Sequence, residues 1–272
     1  MAYSYTALKD FAHCPRKYHR VRIAKTHKAE ATEATEYGSA VHKALENYAR
    51  DQTPLPYSLQ QYQPYANALD VARATYTLIP EQTIGLTYDG QAVFGTDRAD
   101  MWWARDIKIA GICDLLLLSC DKTTGKIADY KTGGDKYPDI EQLDLMVFLA
   151  MRAYPTLETL EAKLLYVKTG TCFPPAPKVY RREDMPEIDA RFSAKIAEVE
   201  ARKDALISDV TALGAQAKAA GLAAPAMADL YPLYDKHFPD NGGNPLCGWC
   251  PVTDCVFHQE FLSVRLRKER KS

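Results

Sequence analysis

Two groups of residues in this chain have types and spacings suited to chemistry. The first runs from Gly111-Ile112-Cys113-Asp114, through an apolar stretch, to Asp129-Tyr130-Lys131-Thr132-Gly133. Asp129 and Lys131 are two apart, so on a strand they share a face and Tyr130 points away. Asp114 sits inside an apolar run, where a carboxylate is costly to bury unless it is paired or bound to metal. Two carboxylates and one ammonium at one point suit either a structural ion pair or a metal-assisted hydrolytic centre. The second group is Cys247, Cys250 and Cys255, spaced C-x2-C-x4-C. That spacing is suited to thiolate ligation of zinc or an iron–sulfur cluster, and such sites usually take four ligands. Cys14, followed by Pro15, is the best candidate for the fourth. Cys172 stays open, and His258 and His237 are weaker alternatives that would favour zinc. Cys113 and Cys120 read as small buried hydrophobes.

These residues need elements to position them. Gly111 to Leu118 and the Asp129 segment read as antiparallel strands turning at Thr123-Thr124-Gly125. Gly38 to Arg50 has the apolar spacing of a helix, with Val41, Ala44, Leu45 and Tyr48 inward and His42 beside that stripe. Ile140 to Tyr154 is a second helix, with Gln142 near its start. Tyr5, Leu8 and Phe11 form the apolar stripe of a short helix reaching Cys14. Arg16, Lys17 and Arg20, interleaved with Tyr18, form a candidate phosphate-contacting patch. Thr26 to Tyr37 reads as a loop or frayed helix, Tyr65 to Thr77 as a helix and Glu81 to Phe94 as a hairpin. Thr96 to Asp106 reads as irregular, Lys163 to Lys168 as a strand and Cys172 to Pro177 as a proline-rich loop. A long charged helix from Glu187 to Ala220, broken near Gly214, follows. A basic run, Arg265 to Lys271, comes last.

Composition is that of an ordinary globular protein: 47% hydrophobic, 25% charged, net charge −1. Nucleic-acid binding would therefore have to come from local basic patches. No run is long and apolar enough for a membrane span, and the first residues lack a signal-peptide layout. A cytoplasmic protein is expected, where seven cysteines are poor candidates for disulfides.

Taken together, the residues resemble the RecB-like nucleases of the PD-(D/E)xK superfamily, and within it the CRISPR-associated iron–sulfur exonucleases and the AddB nuclease domain. The shared features are a helical G-x-x-x-H (Gly38 to His42), a G-x-x-D strand (Gly111 to Asp114) and a D-x-K strand (Asp129 to Lys131). A helix led by Gln142, and one early cysteine with three late ones (Cys14, Cys247, Cys250, Cys255), complete the pattern. One departure is Met146, where the family has a Tyr four residues after the Gln.

The resemblance implies an α/β, restriction-endonuclease-like core: a central mixed sheet flanked by helices, with an iron–sulfur subregion joining the N- and C-termini. It implies a single nuclease domain over 1–272, with cluster-binding parts at 1–30 and 241–260, a catalytic core at 37–168 and a helical region at 185–240. The implied activity is metal-dependent DNA exonuclease action on single strands or ends, in recombination, repair or CRISPR-type adaptation. Lys131, Asp114, Asp129 and Gln142 would be catalytic. His42, Asp114, Asp129 and the Tyr130 carbonyl would hold Mn²⁺ or Mg²⁺, and the four cysteines a [4Fe-4S] cluster, with Zn²⁺ as the alternative. DNA is the expected partner, in a bacterial, archaeal or phage-infected cell, with a homo-oligomer or recombination or CRISPR proteins also compatible. A non-catalytic DNA-binding adaptor that keeps the fold, and a zinc-stabilised structural protein, are the competing readings.

Overall fold

A computed structural model describes residues 2–95 and 98–269. In chain order the elements are α1 (Tyr5–His13), α2 (Pro15–Tyr18) running into a π-helical turn, α3 (Glu33–Asp51), α4 (Gln63–Arg73), β1 (Tyr76–Thr87) and β2 (Ala92–Gly95). Then come α5 (Arg98–Trp103), β3 (Ile107–Ser119), β4 (Thr124–Lys131), α6 (Ile140–Ala153), β5 (Thr159–Tyr166) and β6 (Thr171–Arg181). Three helices follow: α7 (Met185–Ala219), α8 (Met227–His237) and α9 (Val256–Glu269). Of the basic run at the end, Arg270 and Lys271 lie outside the described residues, as do Thr96 and Asp97.

The chain divides into two compact units. The first comprises Met1–Tyr5 and Ala31–Phe192, the second Thr6–Glu30 and Ser193–Ser272.

The first unit is built on one six-stranded sheet, ordered β2-β1-β3-β4-β5-β6. Only β4 and β5 pair in parallel. A parallel pair needs a crossover, and α6 supplies it. All other neighbours are antiparallel. On one face α3 and α4 bury Val41, Leu45 and Leu69 against Leu115, Leu117 and Tyr130. The helix α6 has an unbroken buried run from Leu143 to Met151, as expected of a helix enclosed on all sides. This is the mixed sheet flanked by helices that the resemblance implies.

Several local expectations are corrected. Helix α3 begins at Glu33, five residues before Gly38, because Thr32 and Thr35 cap each other reciprocally: each hydroxyl accepts the other's backbone N–H, at 3.3 and 2.8 Å. Helix α4 ends at Arg73, and β1 already starts at Tyr76. The β3–β4 turn lies at 120–123, where Asp121 accepts from the Ser119 hydroxyl at 2.6 Å and the Thr123 N–H at 3.1 Å. Thr124 and Gly125 belong to β4. Arg98–Trp103 is helical. The proline-rich loop is part of strand β6, which tolerates prolines because it is an edge strand with one row of backbone groups unpaired. Helix α7 runs unbroken through Gly214, so the roughly 1 kcal/mol cost of a helical glycine is absorbed.

Candidate active site

Strands β3 and β4 bring the predicted carboxylates together. Asp114 Oδ2 accepts the backbone N–H of Tyr130 at 2.8 Å, which fixes it beside Asp129. Asp129 is only 2% exposed. Its Oδ1 accepts from Gln142 Nε2 at 2.7 Å, and Lys131 Nζ stands 2.6 Å from its Oδ2. Lys131 also donates to Gln142 Oε1 at 2.8 Å. The three side chains thus close a ring, with Gln142 using its amide as donor and acceptor at once. Tyr130 turns to the opposite face and packs in the α3/α4 cluster, as strand alternation requires. Burial, and then the charge of Asp114, push the Asp129 carboxyl pKa up against the pull of Lys131.

His42 reaches this centre from α3. Its Nδ1 lies 3.2 Å from Asp114 Oδ2. One turn earlier, a Cβ on Gly38 would stand 2.8 Å from Thr132 Oγ1, so glycine permits the close approach of α3 to the end of β4. Burial alone would lower the His42 pKa. The hydrogen bond and charge of Asp114, with Asp129 and Glu81 behind it, raise it on balance.

Glu81 belongs to the site and was not anticipated. His42, Glu81 and Asp114 each place one ligand atom within 4.8 Å of the others. By sequence alone Glu81 reads as the start of a hairpin. The available signal was a carboxylate inside a partly apolar strand, the same signal that singled out Asp114. All three line a cleft of about 950 Å³, with Thr132, Gly133 and one face of α3: Thr35, Ser39, Lys43, Glu46 and Arg50. Lys43 and Arg50 are both held by Glu46, at 3.0 and 2.7 Å. Asp129 and Lys131 do not line the cleft.

Met146 is buried, and Gly111 explains its place. A Cβ on Gly111 would come within 2.3 Å of the Met146 methyl, so Met146 packs directly on the bare backbone of β3. Asp144, also unanticipated, anchors α6 from its other side. It accepts from the Tyr180 hydroxyl at 2.6 Å, Lys178 Nζ at 3.0 Å and Arg191 Nη2 at 2.6 Å. Burial would raise its pKa, but these three partners hold it below the usual carboxylate range.

In the second unit, Cys14, Cys247, Cys250 and Cys255 line one cavity of about 230 Å³. Backbone N–H groups of Lys17 and Asn244 point at the Cys14 and Cys247 sulfurs, at 3.5 and 3.4 Å. His258 lines the same cavity, but its Nδ1 donates to the Cys247 carbonyl at 2.8 Å. His237 is engaged by Asp209 at 2.8 Å. Cys113 is buried as expected, whereas Cys120 is exposed at the end of its strand and Cys172 is half-buried on β6.

The cations of the predicted basic patch have partners within the protein. Arg16 pairs with Asp235 and Asp240 at 3.2 and 3.0 Å, and its Nη1 lies 3.9 Å from Cys255 Sγ. Lys17 pairs with Asp10 at 2.7 Å. Arg20 is buried over the Tyr231 ring, 4.3 Å from its centroid. The partners of Arg16 and Arg20 lie more than 200 residues along the chain, where sequence spacing does not show them, while that of Lys17 is seven residues away.

No helix among the described residues is long and apolar enough to cross a membrane. Comparison with curated proteins and with solved structures gave no match. A model of the PD-(D/E)XK nuclease superfamily matches residues 2–255, spanning the carboxylate centre and all four clustered cysteines. With the family model covering nearly the whole chain, this protein belongs to the PD-(D/E)XK nuclease superfamily.

Proposed function

We propose that the protein is a metal-dependent DNA exonuclease that hydrolyses phosphodiester bonds of single strands or DNA ends, in recombination, repair or CRISPR-type adaptation. The observation that carries this reading is the Lys131–Gln142–Asp129 ring set beside Asp114 and His42. The residues fit a hard divalent ion. Asp129 Oδ2 is buried, and its one close partner is the Lys131 ammonium, 2.6 Å away. Oxygen donors with one imidazole suit Mn²⁺ or Mg²⁺, and Asp114, Asp129, His42 and the Tyr130 carbonyl are the proposed ligands. Such an ion supplies Lewis-acid polarisation of the phosphate and a more acidic water.

The chain's own groups do the positioning. Gln142 orients the Lys131 ammonium and the Asp129 carboxylate at once. Lys131, held by Asp129 and Gln142, acts as a cation that orients water and offsets charge on the phosphate. The α3 face with Lys43 and Arg50 is proposed to follow the DNA backbone.

The cysteine cavity is proposed to hold a [4Fe-4S] cluster. The four thiols share one cavity, and a multi-iron cluster is the proposed occupant, with one zinc ion as the alternative. The N–H groups aimed at sulfur suit thiolates. Its role in this reading is structural, tying the segments at 1–30 and 241–260 into one nuclease domain, in a cytoplasmic protein whose partner is DNA.

End-labelled single- and double-stranded DNA with Mn²⁺ or Mg²⁺ tests the proposal. Metal-dependent release of the end label is expected. Asp114→Ala, Asp129→Ala and Lys131→Ala should each slow it by at least about 10²-fold with an unchanged circular dichroism spectrum. Full activity in any of the three would overturn the assignment.

A further inference from the structure

We propose that Tyr137, with Lys136 and Lys168, forms a stacking platform beside the cleft that takes an unpaired nucleotide of single-stranded DNA. The inference rests on the nuclease reading and narrows its substrate class, because the ring selects bases not already stacked in a duplex. Three features carry it.

The first is position. The segment 132–139 joins β4, which ends at Lys131, to α6, which carries Gln142. Its first residues, Thr132 and Gly133, line the cleft. Tyr137 is four residues beyond Gly133, so its backbone lies within about 14 Å of the cleft wall. A Cβ on Gly133 or Gly134 would meet nothing within 4 Å. The space along this segment is open to a strand leaving the cleft.

The second is how the ring is presented. Tyr137 is 81% exposed, yet the backbone beneath it is tied down two residues to either side. Asp135 accepts from the Thr169 and Thr171 hydroxyls at 3.2 and 2.8 Å, and Asp139 accepts from the Tyr5 hydroxyl. A tyrosine held in water on an anchored segment gives up little freedom on stacking, since only two side-chain torsions remain to be fixed.

The third is charge. Lys136 Nζ lies 5.3 Å from the Tyr137 ring centroid. Lys168 Nζ lies 4.7 Å from the ring centroid of Tyr37, the residue before Gly38. The Asp135–Thr169 hydrogen bond brings the two lysines to the same rim, because each is the chain neighbour of one of its partners. Both lysines are exposed, and neither makes an ion pair among the described residues. Lys43 and Arg50, by contrast, are held by Glu46. The acids of this rim, Asp135 and Asp139, are occupied by hydroxyls. Two ammoniums without a carboxylate partner beside an exposed ring are the combination that holds single strands: the cations follow the phosphates and the ring takes a base face.

Fluorescence anisotropy of a labelled oligothymidylate tests this with the full chain in EDTA, where metal-dependent cleavage does not occur. An abasic strand of the same length and a blunt duplex serve as comparisons. Tyr137→Ala should raise the Kd for the oligothymidylate by at least about fivefold, with nearly unchanged Kd for the abasic strand and the duplex. Tyr137→Phe and Tyr137→Trp keep a ring and should keep the oligothymidylate affinity. Lys136→Gln and Lys168→Gln should weaken oligothymidylate and abasic strand alike, each lowering the slope of log Kd against log salt by about 0.7. Wild-type oligothymidylate affinity in Tyr137→Ala would overturn the inference. So would an equal loss on the abasic strand, an unchanged salt slope in both lysine variants, or failure of the wild type to bind the oligothymidylate. The two readings separate. If the wild type cleaves end-labelled DNA with Mn²⁺ while Tyr137→Ala binds oligothymidylate normally, this inference fails and the nuclease reading stands. If oligothymidylate binds through Tyr137 but no DNA is cut, the nuclease reading fails and this inference stands.

Discussion

The carboxylate centre and the cysteine cavity are held in opposite ways. At the first, the donors sit on paired strands and a buried helix, and each key side chain already has a protein partner: Tyr130 N–H for Asp114, Gln142 for Asp129 and Lys131. At the second, the cysteines sit on a 3-10 turn, a short helix end and loop, and their partners include the backbone N–H groups of Lys17, Asn244 and Val252 and one distant guanidinium. A hard-ion site can be preorganised by hydrogen bonds, because its oxygens have other partners in the protein. A thiolate site has few such substitutes, so its ligand must also act as its structural tie.

The largest expected effect follows from that contrast. Cys250→Ser should lose the visible absorption that the proposed cluster would give and destabilise the second unit by several kcal/mol, on the scale of losing a structural metal site. Chelating the divalent ion with EDTA should stop cleavage yet leave thermal unfolding almost unchanged. If EDTA alone unfolded the first unit, or Cys250→Ser melted like wild type, the contrast would break.

A smaller effect tests the preorganised side. Gln142→Ala removes the one residue that bridges Lys131 and Asp129. It should slow cleavage by roughly 10–100-fold, the usual cost of losing an outer partner of a metal centre, mostly in kcat. An unchanged kcat in a DNA-cleavage assay would show that the ring is not needed.

The smallest concerns pH and the second unit. His19 is buried between the Tyr234 and Phe238 rings, at 4.4 and 5.1 Å. Burial first, and then Arg20, push its pKa down to about 4. The folded state therefore refuses a proton that the unfolded state takes up near pH 6.5. Stability should be fully present above that value and fall as pH drops towards 4, by on the order of 2 kcal/mol. Thermal melts at pH 7 and 5 should show this slope in wild type and a reduced one in His19→Phe. Equal slopes would remove His19 from the account.

Much of the centre was legible because its signals are local. The alternation around Asp129 and Lys131, the apolar run holding Asp114 and the stripe on α3 beside His42 depend on residues a few positions apart. These periodicities report directly which face a side chain takes. Met146 was readable only as a departure. Its meaning, packing on the bare Gly111 backbone, needed the β3–α6 contact.

What the sequence by itself determined is the elements that carry the carboxylate centre and the chemistry of their short motifs, since strand and helix periods are written in near neighbours. Tertiary structure alone decided that Glu81 joins His42 and Asp114, and that Asp144 anchors α6 through β6 and α7. It also decided that Arg16 and Arg20 turn to acids and tyrosines more than 200 residues away, and that a proline-rich run forms an edge strand. Each of these rests on a partner distant in sequence. Burial and pairing across the fold, which no local pattern encodes, set whether such a charge is a ligand, an anchor or a free surface group.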